Sequence, residues 1–256
     1  MSRYEKSRIQ SLMKATYISF TTHEPRVNKI APMLQSLLDQ WPADRVLLVI
    51  AEGLKLPTFI KNSGIRIVRS KDYGAFKKHG PLYMDLGINR YIVVDDDTVF
   101  PRGWFENLLF WSDRLPGHVV CGRGRIWKPA DDLHYPNSYS VFAGEISKPV
   151  LCNIYIGVGT AVFSREYFEP DVFPFPNRSF TYSDDIWMSA KLKDDVRISV
   201  IPYNKEEHNE NISKPKDLPY AYDQDCLCAQ AMADGFANKN KALNEHRSKI
   251  LARVYS

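Results

Sequence analysis

The stretch Tyr91-Ile92-Val93-Val94-Asp95-Asp96-Asp97 decides the fold. Four β-forming residues, three of them branched aliphatics, read as a buried strand. Three carboxylates follow at its end. Burying even one unpaired carboxylate is very costly, so all three must meet cations or water. A strand that ends in acids at the edge of a parallel sheet is the usual place for a ligand crevice. Hard divalent ions such as Mg2+ and Mn2+ take carboxylate and phosphate oxygens together, which makes the stretch a candidate metal–diphosphate site. Thr98 and Pro101 just beyond it also fit an ordinary acidic turn or helix cap.

Upstream of this strand, strand-like and helix-like segments alternate. Residues 16–20 read as a strand. Ile30, Met33, Leu34, Leu37 and Leu38 recur at helical spacing, with Asn28 as the expected N-cap and Pro32 tolerated near the first turn. Residues 45–50 form an unbroken apolar strand, and 65–68 a third. A helix is expected over 77–86, leading into the acidic strand. This βαβαβ pattern predicts an α/β fold with a Rossmann-like, mostly parallel sheet covered by helices on both faces.

Downstream the pattern is less regular. Residues 119–121 read as a short strand, and 128–149, rich in Pro, Asp, Ser and Tyr, as a long loop near the site. A strand over 158–163 is introduced by Gly157 and Gly159, a helix is expected over 184–192, and a strand over 198–201. Residues 204–219 are polar and irregular. Helices near 226–235 and 242–254 form an expected C-terminal helical extension. There is no internal repeat and no low-complexity tract.

The 256 residues suffice for one large α/β domain, and 44% apolar with 25% charged residues is ordinary for a globular chain. No run of eighteen apolar residues occurs, and the first fourteen residues lack the apolar core of a signal peptide. The expectation is a cytoplasmic chain whose cysteines (121, 152, 226 and 228) stay reduced, since their spacings match no zinc pattern. A net charge of +4 suits an anionic ligand and gives no argument for nucleic acid.

A second acidic site is Ser183-Asp184-Asp185-Ile186-Trp187, after a loop and at a helix start. Acids there cap a helix and match its dipole, but a cap needs one carboxylate and here there are two. A carboxylate held beside an apolar Trp is also a reasonable general base. Gly157-Val158-Gly159-Thr160 allows a ligand close to the backbone, or simply a tight strand entry. It lacks the third glycine of a dinucleotide fingerprint, and no phosphate-binding GK[ST] loop occurs. Arg123 and Arg125, each following a glycine, fit a phosphate contact or a solvated turn equally. His208, in a polar segment after the last strand, is a candidate third ligand for a metal already held by two carboxylates, or a solvated imidazole. His23, His79, His118, His134 and His246 have less support.

Taken in order, these elements resemble the nucleotide-sugar glycosyltransferases of the GT-A fold, particularly bacterial polysaccharide and lipopolysaccharide enzymes. The elements are Ser19 to Thr22 with Arg26, Asp72-Tyr73-Gly74 with Lys78, the Asp95-Asp96-Asp97 triplet, Gly157-Val158-Gly159, Asp184-Asp185, and His208. The resemblance spans about residues 16–208. It implies a single transferase domain of the hexosyltransferase-like EC 2.4 class. The nucleotide-binding half would be about 16–123, the acceptor-side half about 124–210, and the C-terminal helices about 220–256. It implies Mn2+ or Mg2+ on Asp97, Asp95 and His208. Thr21, Arg26, Asp72, Lys78, Asp95 and Asp96 would hold a UDP- or GDP-sugar, and Gly157 and Gly159 would line the sugar. The acceptor would be a glycan or a lipid-linked glycan. The last acid of the 183–185 element is usually the base of inverting members. Asp stands at 184 where the family has Glu, so Asp185 and Asp184 are both candidates. Ala75 replaces a frequent Pro.

Two rival readings remain at this level. Asp95, Asp97 and Val99 also match a nucleophile motif of the haloacid-dehalogenase type, but that motif belongs on an early strand. A non-catalytic sugar-binding module would leave Asp184, Asp185 and His208 unexplained. Between 237 and 256, five basic residues meet one acid, and Leu243, Ile250 and Val254 fall near one helical face. This gives either a packing helix or a peripheral contact with an anionic membrane.

Overall fold

The computed structural model describes residues 2–127, 138–157, 160–168, 170, 172, 184–203 and 210–211. In chain order the elements are α1 (Arg3–Ala15), β1 (Tyr17–Phe20), α2 (Ala31–Leu38), β2 (Val46–Ala51), α3 (Thr58–Lys61), β3 (Arg66–Ser70), α4 (Gly80–Tyr83), β4 (Arg90–Val93) and β5 (Thr98–Val99). There follow α5 (Trp104–Arg114), β6 (His118–Cys121), β7 (Arg123–Trp127), β8 (Ser138–Phe142), β9 (Val150–Cys152), β10 (Ile154–Tyr155), β11 (Ala161–Ser164), α6 (Asp184–Ala190), β12 (Arg197–Val200) and β13 (Glu210–Asn211).

Eight strands form the main sheet in the order β3-β2-β1-β4-β11-β6-β12-β9. The first four are mutually parallel, β11 and β9 run against their neighbours, and β6 and β12 are parallel to each other. The mostly parallel sheet expected from the sequence is therefore present. Its two faces follow from strand parity, because successive side chains point to opposite sides. Leu47, Val49, Tyr91, Val93, Val119, Cys121, Ala161 and Phe163 enter one core with Phe76, Leu82 and the apolar residues of α6. Val46, Leu48, Ile50, Ile92, Val120 and Val162 enter the other, with Ile9 and Met13 of α1, Met33, Leu34 and Leu37 of α2, and Trp104, Phe105, Leu108 and Leu109 of α5.

The helix expected over 77–86 is not continuous. Residues Gly74–His79 form a 3-10 helix, followed by one turn of α4. Pro81 has no N–H to bond an upstream carbonyl, so the 3-10 helix ends before it and α4 restarts with Pro81 in its first turn. Gly80 is also where this segment meets the sheet: a Cβ there would lie 2.8 Å from Val49 Cγ2. Helix α2 begins after Ile30 rather than at Asn28, with Pro32 in its first turn. Within the expected loop 128–149, Ser138–Phe142 is a strand paired with β7. The strand expected from 158 starts at Ala161, after Thr160 at φ 56°.

Helices α1 and α5 are absent from the sequence reading. Helix α1 is closed by a reciprocal cap, Ser2 and Glu5 each bonding the other's backbone N–H, and is clamped on α5 by Arg8–Asp113 at 2.7 Å. Its core contribution is Ile9 and Met13, too few for a strong periodic signal. Helix α5 does carry the signal, since 104, 105, 108 and 109 recur one turn apart. The expected C-terminal helices lie outside the described residues. Among the described residues, no helix is long and apolar enough to cross a membrane.

Candidate active site

The C-terminal ends of β1 and β4 lie side by side, with Ser19 opposite Val93 and the Val94 N–H donating to the Ser19 carbonyl at 3.1 Å. The residues just past each strand therefore meet at one sheet edge: Thr21, Thr22 and Arg26 from β1, the aspartate triplet from β4. Strand β11 runs the other way and starts opposite Val93, so Gly157 and Thr160 arrive at the same edge.

The three aspartates have three different environments. Asp96 is buried and accepts hydrogen bonds from Thr22 Oγ1 and Arg26 Nη1, each at 2.7 Å. Asp97 lies 3.2 Å from the same guanidinium. Burial, then the neighbouring Asp95 charge, pushes the Asp97 carboxyl above the ordinary range, although Arg26 counters them. Asp95 accepts from Lys78 Nζ at 2.9 Å. Asp96 is thus a structural anchor, and Asp97 is the crowded carboxylate.

Lys78, expected among the nucleotide-holding residues, is instead buried between two carboxylates. Its ammonium lies 2.9 Å from Asp95 and 3.2 Å from Asp184, with 4% of the side chain exposed. Burial opposes its charge, yet Asp184 and Asp95 outweigh burial and hold the ammonium well above the ordinary lysine range. Its backbone is fixed by Ser19 Oγ, which donates to the Lys78 carbonyl at 2.6 Å. Gly157 makes room for it: a Cβ there would sit 2.8 Å from Nζ and 3.5 Å from Asp95.

Asp184 opens α6 inside the core. One of its oxygens meets Lys78, His79 Nε2 at 2.9 Å and the Tyr155 hydroxyl at 3.2 Å. Burial raises its pKa, but Lys78 and His79 overcome that and hold it far below the ordinary carboxylate range. A carboxylate so well satisfied is a weak base, which gives Asp184 the part of an anchor. Asp185 is half-buried beside it, with Oδ1 accepting from the Ile186 N–H at 3.0 Å. His79 and Tyr155 carry no functional signal in the sequence. His79 is fully buried, its Nδ1 3.2 Å from the Tyr91 hydroxyl and its ring packed against Phe76 and Phe163. Burial pushes its pKa down. No local motif marks these residues, because their contacts join segments 12 to 105 positions apart.

Of the remaining expected residues, Asp72 is exposed and takes Lys77 Nζ at 2.5 Å and the Gly74 N–H at 3.0 Å. The Thr21 hydroxyl oxygen is buried without a hydrogen-bond partner among the described residues. Thr160, in its left-handed conformation, accepts from Trp104 Nε1 at 3.0 Å. Gly159 and His208 lie outside the described residues.

Among the described residues, no group of three or more His, Cys, Asp or Glu side chains converges as a metal cage. A Mg2+ or Mn2+ site of the diphosphate kind needs only one or two carboxylates, with phosphate and water completing the shell. The charges fit that requirement. In the described ion pairs Asp95, Asp96, Asp97 and Asp184 face Lys78 and Arg26 as cations, and His79 beside Asp184 is held towards its neutral form by burial, which leaves two negative charges at the sheet edge.

The sheet order, the antiparallel β11 and the acidic end of β4 together make a GT-A-like Rossmann fold. A solved structure of that fold is similar to this chain: GalNAc-T7 with UDP, GalNAc and Mn2+, at a TM-score of 0.54 and 10% identity over 83% of this chain. This chain spans 47% of the length of that one. No protein-family model and no curated protein sequence matches.

Proposed function

We propose that the protein is a metal-dependent glycosyltransferase that moves a sugar from a UDP- or GDP-sugar to a glycan or lipid-linked glycan acceptor. The observation that carries this reading is the convergence of two acidic sites, Asp95 to Asp97 and Asp184-Asp185, at one edge of a GT-A-like sheet. The UDP and Mn2+ bound by GalNAc-T7 support the same donor class and cofactor here.

Asp97 and Asp95 would hold the divalent ion, with His208 as a third ligand; Glu210, two residues beyond His208, pairs with Val99, two residues beyond Asp97. When bound, a divalent ion supplies positive charge to the diphosphate oxygens as the nucleotide leaves. Thr22 and Arg26 fix Asp96, and through it the backbone that aims Asp95 and Asp97. The acceptor hydroxyl has a high pKa, so its attack on the anomeric carbon requires a carboxylate to take the proton. Asp185 has that role and implies inversion. Asp184 positions it by pinning the start of α6 to Lys78 and His79. Ile186 and Trp187 bury the inner side of α6 in the core, which fixes the helix start that carries Asp185.

A panel of UDP- and GDP-sugars, incubated with and without Mn2+, tests the reading by donor hydrolysis and by transfer to oligosaccharide acceptors. Mn2+-dependent turnover of one donor class is expected, with inverted anomeric configuration by NMR. Phosphate release from simple phosphomonoesters without sugar-nucleotide turnover would favour the phosphatase alternative built on Asp95.

A further inference from the structure

We propose that Lys78 is a resident counter-cation that competes with the divalent ion for Asp95 and so lowers the affinity of the site for metal. The inference rests on the metal-dependent reading above and deepens it. Its basis is geometric. The ammonium lies 2.9 Å from Asp95 Oδ1 and 3.2 Å from Asp184 Oδ2, and is almost wholly buried. It lies against Gly157, in space that only a glycine leaves open, since a Cβ there would lie 2.8 Å from Nζ. Its carbonyl is tied to Ser19 on β1, so the backbone cannot carry the side chain away. The charge therefore stays beside Asp95 whether or not a metal is present. Among the described residues no lysine pairs with Asp97, and its share of Arg26 is the longer of two, 3.2 Å against 2.7 Å for Asp96.

The arrangement has two consequences. A fixed cation next to one of two metal-facing carboxylates weakens metal affinity, because a unit charge and a divalent ion a few ångströms apart repel strongly in a partly buried site. The same cation joins the end of β4 to the start of α6, so the metal-binding and proton-accepting carboxylates share one positioning residue. Lys78 acts through Asp95 and Asp184 rather than on the substrate.

The test uses Mn2+ alone, without nucleotide, on the full chain, with bound ion measured by loss of the free Mn2+ EPR signal and by calorimetry. Lys78→Met is close in length and uncharged. It should tighten Mn2+ binding by about tenfold or more, since it removes the competing charge. A purely structural role for Lys78 predicts weaker binding in that variant or none. Asp184→Asn moves affinity the other way. With Asp184 neutral, Lys78 is shared with Asp95 alone, and Mn2+ should bind about threefold or more weakly. Thermal melts in chelator establish that each variant is folded, and if Lys78→Met is not, Asp184→Asn decides. Unchanged or weaker binding in folded Lys78→Met, or unchanged or tighter binding in Asp184→Asn, overturns the proposal. Wild-type protein that binds no Mn2+ overturns the metal-dependent reading itself, and that result is read on the wild type alone.

Discussion

Asp96→Ala and Asp97→Ala remove adjacent carboxylates of one triplet, yet they should affect stability very differently in metal-free buffer. Asp96 is buried, and its two oxygens accept one hydrogen bond each, from Thr22 and from Arg26. Removing it leaves the buried Thr22 hydroxyl without its acceptor, worth about 1–3 kcal/mol, and breaks a buried ion pair, worth about 3–5 kcal/mol in a fully isolated case. Arg26 keeps Asp97 at 3.2 Å, which brings the ion-pair loss below that range. The expected net loss is about 3 kcal/mol, or a fall in Tm of roughly 6–12 °C at the usual slope for a chain of this size. Asp97 is the opposite case. Burial and the Asp95 charge already disfavour its ionised form. Truncating it relieves that repulsion and loses the longer contact to Arg26, so its stability should stay within about 1 kcal/mol of wild type. Thermal and urea unfolding with chelator present measure both. A Tm drop in Asp97→Ala as large as that in Asp96→Ala would refute the division of the triplet into anchor and metal-facing acid. Calorimetry completes the contrast, because Asp97→Ala should abolish metal-dependent binding of UDP or GDP while remaining folded.

Asp185→Asn keeps the shape of the side chain and removes its basicity. Turnover should fall roughly 10²–10⁴-fold with little change in donor affinity, and near-wild-type turnover would move the base elsewhere. Gly157→Ala places a methyl group 2.8 Å from Lys78 Nζ and must displace the ammonium; a loss of about 1–3 kcal/mol in urea unfolding is expected, and a wild-type midpoint would show that Lys78 is not confined. Burial holds the His79 pKa below its unfolded value, so between the two values the unfolded chain binds more protons and stability falls as pH drops below about 6.5. Asp184, depressed instead, keeps its full contribution above the ordinary carboxylate pKa and loses it only in stronger acid. The pH slope of stability between 7 and 5 should therefore flatten in His79→Gln, with the residual slope owing partly to half-buried His23, whose pKa burial also lowers; an unchanged slope would exclude His79 as the titrating group.

The sequence by itself determined the parallel sheet, since short uninterrupted runs rich in β-branched residues, such as Val46–Ile50, read as strands buried on both faces. It also marked both acidic sites, because three consecutive carboxylates at a strand end and two at a helix start exceed what a turn or a cap needs, and that excess is local to the segment. The helix spacing of α5 is equally local. Tertiary structure alone decided which acid is buried and which cation each one meets. Asp95, Asp96 and Asp97 are chemically identical in the sequence, and Asp184 and Asp185 differ there by one position. Their environments separate only because Thr22, Arg26, Lys78 and His79 reach them from 17 to 106 positions away, through contacts that no periodicity encodes. His79 could not be read as part of the site because a lone histidine in a helix-like segment acquires meaning only from what packs around it. The same holds for Gly157: its spacing suggested a ligand approach, and the fold fills that space with the ammonium of Lys78.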